Sequence, residues 1–499
     1  MDVKHAQLLI AIVITGATFV SPVGYAQERA DTAKLEQKLK DFQKQIDALA
    51  AQARVLQEEI NAAKAGQPVA PSKSGEVQPV EPAAAPEPAI VPAPTQTELA
   101  AGSTAATSIN NESLPPSPQE AITAPPITIV SSSGGKNFLN LSLDGLLAAG
   151  TSTTPNVGAL EVGGHDPAER GFTVQNIEAV FEGAVDPYFR GQANVVLQIT
   201  PEGGTQVELE EAYATTTSLP KGLQVKAGQF FTEFGRLNPQ HPHSWDFVDQ
   251  PLVNGRFFGP DGLRSTGVRL SWLTPTDFYS EASISLQNSQ GETASSFRSV
   301  PGETLFGRTI QQRTVSSISD MLIVPRYNAS FDLSDTQTLL VGGSAALGPN
   351  GTGEGARTGI YGLDGFYKWK PTNAFRGFPF VKIQGEVMRR TASVAAVPTE
   401  MDRATFKDWG GYLQVNWGYT AGHVLGFRVD RVSGDQGDPH DNALAPRLRL
   451  SPAVTWFPTE FSKLRLQYNL DRSNAFQKTQ HSVWLQLEFL LGAHAAHKF

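Results

Sequence analysis

Apolar and polar residues alternate along the chain from Asn137 onward. The segment 463–471 shows this most clearly, because Leu464, Leu466 and Leu470 fall on one face and charged or amide side chains on the other. A period of two residues predicts β-strands with one apolar and one polar face. Dividing the sequence at its turn signals gives sixteen candidate strands. They lie near residues 137–149, 172–185, 188–200, 206–216, 221–231, 263–273, 278–288, 322–333, 336–347, 359–369, 377–391, 406–419, 423–433, 445–457, 460–472 and 479–491.

The connections between these strands alternate in length. Short connections occur at Asp186–Pro187, Thr274–Asp277, Ser334–Asp335, Thr420–Gly422 and Pro458–Thr459, and those between them are mostly longer. Outer-membrane barrels have this asymmetry, with tight periplasmic turns and long external loops. A soluble β-sandwich also alternates but has no reason for the asymmetry. Residues 131–499 are therefore expected to form an all-β transmembrane barrel of about 16 antiparallel strands.

The first 26 residues have the pattern of a signal peptide. Lys4 and His5 precede an apolar stretch at 8–20, and Gly24–Ala26 forms a small-residue cleavage site. The alternative, an anchor helix, is less favoured because the apolar stretch is too short to span a bilayer. The pattern predicts export from the cytoplasm.

Residues 27–65 are expected to form an α-helical coiled coil. Apolar residues from Leu35 to Ile60 are spaced alternately by four and three, which places them at the a and d positions of four heptads. Such a narrow seam predicts association with a second helix, in a dimer or trimer. A single amphipathic helix packed on a neighbouring surface is the alternative.

The segment 66–130 is rich in proline and alanine, and contains 13 of the 34 prolines. A segment of this composition cannot bury a core, so it is expected to be a disordered, extended linker.

Composition excludes several other classes of protein. The chain has no cysteine, which rules out a disulfide scaffold, and a net charge of −9 argues against a nucleic-acid partner. No apolar run reaches the roughly 20 residues of a spanning helix in the mature chain. His241 and His243, like His494 and His497, lack a third ligand at helical spacing, so neither a metal nor another cofactor is expected.

Aromatic residues at the strand ends resemble the interfacial girdles of outer-membrane barrels. They include Trp272, Trp417, Tyr419 and Trp456. The final residue, Phe499, is in phase with the last strand, as in the assembly signal of bacterial outer-membrane proteins.

Two strands and the start of the next loop resemble the phosphate-selective porin O/P family. The residues concerned are Val207–Tyr213, Gln224–Phe230 and Phe234–Gly235. The resemblance implies a sixteen-stranded trimeric pore in the bacterial outer membrane, with an N-terminal coiled coil. It does not carry phosphate specificity, because acidic and basic residues nearly cancel after Val130.

The connection Arg236–Gly262 is the candidate constriction loop. It follows the fifth strand and is the third external loop, the one that folds inward in many porins. An alternative is a loop packed over the mouth or against another subunit. Its candidate residues are His241, His243, Trp245, Asp246, Asp249 and Arg256.

Charged residues on the polar faces of the strands are the candidate pore lining. Acidic groups on early strands and basic groups on late ones would create a transverse field across the lumen, unless they pair with one another as ordinary wall ion pairs. The candidates are Glu178, Glu182, Glu208, Glu210, Lys226, Arg269, Arg428, Arg447, Arg449, Lys463 and Arg465.

These features favour an outer-membrane porin through which ions or small hydrophilic solutes diffuse passively. The alternative is a structural anchor that reaches through the periplasm towards the cell wall by its coiled coil and linker. Neither role is enzymatic. The expected partners are outer-membrane lipid and other copies of the chain in a trimer. If the protein is a structural anchor, the cell wall is a further partner.

Overall fold

The computed structural model describes residues 127–131, 137–184, 186–438 and 441–492. The predicted signal peptide, the coiled coil, nearly all of the linker and Phe499 lie outside these residues. Within the described ranges, no helix combines the length and the hydrophobicity needed to cross a bilayer.

Sixteen long strands form one antiparallel sheet, and each corresponds to a segment predicted from the alternation. The strands are β1 (Phe138–Ser152), β2 (Gly171–Ala184), β3 (Phe189–Ile199), β4 (Thr205–Thr216), β5 (Leu223–Phe231), β6 (Arg264–Leu273), β7 (Tyr279–Gln287), β8 (Leu322–Ser334), β9 (Gln337–Pro349), β10 (Arg357–Trp369), β11 (Phe380–Val394), β12 (Ala404–Thr420), β13 (His423–Gly434), β14 (Arg447–Thr459), β15 (Ser462–Ser473) and β16 (Gln480–Leu491).

The sheet closes on itself. Each strand pairs with the next in sequence, and β16 returns to β1 with Ser482 opposite Ser152. The long connection between β7 and β8 does not interrupt the ring, since Gln287 pairs with Leu322. Closure leaves no sheet edge among the sixteen strands. The predicted closed barrel of sixteen strands is confirmed.

The outward faces of the strands are apolar and the inward faces are polar. Leu413 and Leu466 are 55% and 51% exposed on the outside. Asp430, Asn469 and Asp471 point inward and are fully buried. A water-soluble protein would have the opposite distribution, because apolar surface is removed from water on folding.

A short strand, Ile127–Ser131, pairs antiparallel with the beginning of β1. It begins inside the range 66–130 expected to be linker. Its sequence, Ile-Thr-Ile-Val-Ser, is rich in β-branched residues, which favour extended backbone.

Three long connections leave the same end of the barrel, at 153–170, 232–263 and 288–321. The second contains the short helix α1 (Leu252–Phe258), which packs against β12 and β13. Gly410 of β12 allows this approach, because a Cβ atom there would lie 2.8 Å from Val253. Apolar side chains of the second and third connections bury one another against the wall, and these include Phe234, Leu252, Val253, Phe257, Phe258, Ala294 and Phe297.

Candidate functional site inside the barrel

The connection 232–263, here called the inward segment, lies within the barrel between two opposite arcs of wall. Its two ends are adjacent, because Thr232 N donates to Leu263 O at 2.9 Å. Between these ends the chain contacts β2 and β4 on one arc and β11 to β15 on the other. The segment therefore leaves and re-enters the wall at one place and bridges the lumen in between.

Asp249 holds the inward segment to the late strands. Its carboxylate is fully buried and accepts hydrogen bonds from Arg428 at 2.7 Å, Gln467 at 2.8 Å and Asn469 at 2.7 Å, and also from Arg449. Burial alone would raise the pKa of Asp249, but the positive charges of Arg428 and Arg449 outweigh this and lower the pKa to about 2. Asp249 is thus a buried charged anchor between Arg428 and Arg449, which also pair with Asp430 and Asp471.

Further contacts extend this attachment along the inward segment. Lys382 donates to Asp246 at 2.6 Å, and Arg465 donates to the carbonyl of Trp245 at 2.9 Å. Arg256 in α1 donates to Asp408 of β12 at 2.8 Å. The segment is therefore fixed to the late strands along much of its length.

The opposite arc meets the inward segment through histidine and glutamate. His241 Nδ1 lies 3.1 Å from a carboxylate oxygen of Glu178 and 3.0 Å from one of Glu210. His241 Nε2 lies 3.0 Å from Glu211, and His243 Nδ1 lies 3.0 Å from Glu178. All five side chains are buried.

The imidazoles that face these glutamates readily carry positive charge. Burial disfavours the charged form of His241, but the neighbouring glutamates outweigh it and raise the pKa well above its ordinary value. For His165 the balance is the same, and its contact with Glu210 raises the pKa to about 9. The histidines of the inward segment thus face the glutamates of β2 and β4, whereas Asp246 and Asp249 face Lys382, Arg428 and Arg449 on the late strands.

The connection 153–170 reinforces both attachments. Glu161 accepts from Arg449 at 2.6 Å, and Asp166 accepts from the backbone N–H of Gln250 at 2.8 Å. His165 Nε2 lies 3.0 Å from Glu210 on the other arc. This connection packs over the inward segment from the side of the long loops.

Cavities lie on both sides of the inward segment. One, of about 450 Å³, is bordered by Asp144, Lys226 and His241 and lies towards the short turns. Another, of about 480 Å³, is bordered by Asn156 and Arg256 and lies towards the long loops. The inward segment contributes to the walls of both.

Most of the charged residues predicted to line the pore lie inside the barrel, but many of them are buried by the inward segment and by neighbouring side chains. Lys226 borders the cavity near the short turns, whereas Glu182 and Glu208 are partly exposed and lie beside Arg190 and Arg264. The buried candidates already have partners in the protein. Glu178 and Glu210 contact histidines, whereas Arg269, Arg428, Arg449 and Lys463 pair with carboxylates. Arg465 instead donates to Gln486 and to the carbonyl of Trp245, and Arg447, on the rim of the same network, pairs with Asp471. On the late wall, the expected open row of basic groups is instead occupied by the inward segment.

The alternation of apolar and polar residues does not predict that Glu211 faces inward. A register shift between β3 and β4 at Asn194 and Val195 places Glu210 and Glu211 both on the inward side. Such a bulge breaks the period of two, so the residue expected to face outward turns inward. Glu161 and His165 were not predicted either, because their positions depend on how the connection 153–170 folds.

A scan against models of known protein families gives no match. Among solved structures, the chain is similar to the outer membrane channel DcaP of Acinetobacter baumannii, with 11% identity and a TM-score of 0.47 over 72% of this chain and 100% of that one. Salmonella typhi OmpF is 12% identical, with a TM-score of 0.47 over 72% of this chain and 100% of that one. The anion-selective porin of Comamonas acidovorans is 8% identical, with a TM-score of 0.45 over 71% of this chain and 100% of that one.

The sequence is 34% identical over 364 residues to an uncharacterized protein of Aquifex aeolicus. The match covers 68% of this chain and 73% of that protein. This chain belongs to the same family as the Aquifex aeolicus protein.

Proposed function

We propose that this protein is a bacterial outer-membrane porin that lets ions or small hydrophilic solutes diffuse passively through its barrel. The observation that carries the proposal is the inside-out distribution of side chains on a closed ring of sixteen strands. An apolar exterior suits lipid, and a barrel of this size encloses a lumen wide enough for water. The inward segment then narrows that lumen to the spaces beside it.

The other sequence-based expectations fit this role. Export by the signal peptide at 1–26 would deliver the barrel to the outer membrane, with the segment that precedes it in the periplasm. The heptads within 27–65 would support a trimer, and the linker 66–130 would join them to the barrel.

Planar-bilayer recording tests the proposal. The purified full-length protein is expected to give steady open-channel current, with a conductance well below that of an unobstructed sixteen-stranded barrel because the inward segment fills much of the cross-section. A folded, heat-modifiable barrel that inserts into the bilayer but passes no current would contradict the role as a porin.

Ion preference is expected to be modest. Arg428 and Arg449 are neutralised by Asp249 and its acidic neighbours, while Glu233 and Glu281 border the cavity near the short turns together with Lys226. Because both signs of charge occur along the path, neither anions nor cations are strongly excluded. The reversal potential under a potassium chloride gradient measures this, and a strong preference for phosphate would contradict it.

The outward face supplies a test of the lipid environment. Leu413→Arg, in the middle of β12, is expected to lower the free energy of unfolding from lipid vesicles by about 2–4 kcal/mol, because arginine is costly at the bilayer midplane. Leu273→Arg, also outward but at the short-turn end of β6, is the matched control and should cost about 0–1 kcal/mol. Equal effects at the two depths would argue against a membrane around the barrel.

A further inference from the structure

A cluster of histidine and glutamate side chains joins the inward segment to β2 and β4. Here it is called the His–Glu cluster and consists of His165, His241, His243, Glu178, Glu210 and Glu211. All six are buried, and they come from four separate parts of the chain. The cluster borders the cavity near the short turns, which gives it a route to solvent.

Three of these side chains have the arrangement of a metal-binding group. Ligand atoms of Glu178, Glu210 and His241 all lie within 4.8 Å of one another. His241 Nδ1 is 3.1 Å and 3.0 Å from the two carboxylate oxygens. A tetrahedral ion with metal–ligand bonds of about 2.0–2.1 Å separates its ligand atoms by about 3.3 Å, so small adjustments would centre an ion among the three.

The second nitrogen of His241 is also held as in known metal sites. Its Nε2 lies 3.0 Å from a carboxylate oxygen of Glu211. Histidines that bind metals through one nitrogen usually donate the other N–H to a carboxylate, which orients the ring and makes it a better ligand. Glu211 therefore suits the role of a positioning residue behind His241.

His241 Nδ1 faces two buried carboxylates at once. It carries at most one proton, which cannot bond to Glu178 and Glu210 at full strength together, whereas an ion in that position would contact both oxygens. Glu210 is held at its other oxygen by His165, whose Nε2 lies 3.0 Å from Glu210 Oε1, and both side chains are at least 96% buried. Because buried polar groups are normally satisfied, the position shared at His241 Nδ1 points to a ligand.

We propose that Glu178, Glu210 and His241 bind a divalent transition-metal ion such as Zn²⁺, with Glu211 orienting His241. Mixed imidazole and carboxylate ligands suit zinc and its neighbours in the first row, whereas Mg²⁺ and Ca²⁺ prefer oxygen alone. Binding would displace the proton from His241 Nδ1. The ion would tie the inward segment to β2 and β4, and this assignment does not depend on whether the barrel conducts.

Metal content of the purified full-length protein tests the proposal. The protein in detergent is stripped with EDTA, equilibrated with ZnCl₂, desalted and measured by mass spectrometry of the elements. We expect one Zn²⁺ per chain in the wild type and at least a tenfold weaker affinity in both Glu210→Gln and His241→Ala. Cobalt loading adds a spectroscopic readout, a visible absorption band that these variants lose.

His423→Ala is the matched control, because His423 lies at the short turn between β12 and β13, outside the cluster. It should retain the bound zinc, and heat-modifiable migration on gels shows which variants have folded. Zinc that is absent from the wild type, or that persists unchanged in folded Glu210→Gln, would overturn the assignment. Glu210→Gln keeps the side-chain volume and serves where His241→Ala fails to fold.

Discussion

Replacing residues 239–259 with a Gly-Ser-Gly-Ser linker is expected to raise the single-channel conductance at least about fivefold, because it removes the part of the inward segment that fills the lumen. The barrel should still close. Asn238 Nδ2 donates to Leu263 O at 2.9 Å, so the chain before the replaced part lies close to the chain that follows it. Recording of the variant and the wild type in the same bilayers measures the change.

The same variant should keep its ion preference modest. It removes Asp246 and Asp249, which face cations of the late strands, together with His241 and His243, which face glutamates of β2 and β4. Positive charge uncovered on one side and negative charge uncovered on the other would offset each other, so the reversal potential should change little. A strong shift towards anions would mean that the glutamates are still neutralised by other groups.

The control replaces the exposed residues 398–401 with the same Gly-Ser-Gly-Ser sequence. These residues lie in another connection at the same end of the barrel. This replacement should leave conductance unchanged, because these residues are not part of the inward segment. If the folded 239–259 variant also conducted like the wild type, the narrowest part of the pore would have to lie elsewhere.

The barrel itself was predictable because its physics is local. A strand with lipid on one side and polar groups on the other must alternate, and β15 shows this without interruption from Lys463 to Asp471. Turn residues then mark the ends of the strands. Sixteen strands could therefore be counted and paired with their neighbours from the sequence alone.

The contents of the barrel were much harder to predict. Asp249 and Arg449 are 200 residues apart in sequence, and no periodicity relates them. The connection 288–321 also folds inward, and a signal for this was present in Phe297, Phe306 and Ile310, which are too apolar for a solvated loop. The bulge that turns Glu211 inward left no comparable signal.

Opposite charges explain why the inward segment takes one position. Its histidines face glutamates on β2 and β4, and its aspartates face cations on β11, β13 and β14. Rotating the segment so that either set met the opposite arc would place like charges together in a buried setting, which is strongly unfavourable. These charge pairs thus specify the orientation of the segment as well as its attachment.

Asp249→Asn is expected to weaken the attachment to the late strands most strongly among single substitutions in the inward segment. It leaves Arg428 and Arg449 buried without their shared counter-charge, at a cost on the order of 3 kcal/mol in the free energy of unfolding. The freed segment should also sample positions away from the wall. Urea unfolding in lipid vesicles measures the stability, and bilayer recordings should show larger and noisier currents.

The effect of Asp249→Asn should depend on pH in a defined direction. The pKa of Asp249 is lowered from 3.8 to about 2, so its stabilising charge is fully present above pH 4 and is lost as the pH falls towards 2. The difference in stability between wild type and variant should therefore be constant from pH 8 to 5 and shrink in stronger acid. A difference that disappeared near pH 6 instead would assign the effect to histidine.

Asp335→Asn is the matched control for this charge change. Asp335 is exposed in the short turn between β8 and β9, where water screens its charge, so stability and current should stay at wild-type values. If Asp249→Asn behaved like this control, the buried contacts of Asp249 would not be what holds the inward segment. The segment would then be retained mainly by the packing of α1 and by the contacts of His241 on the opposite arc.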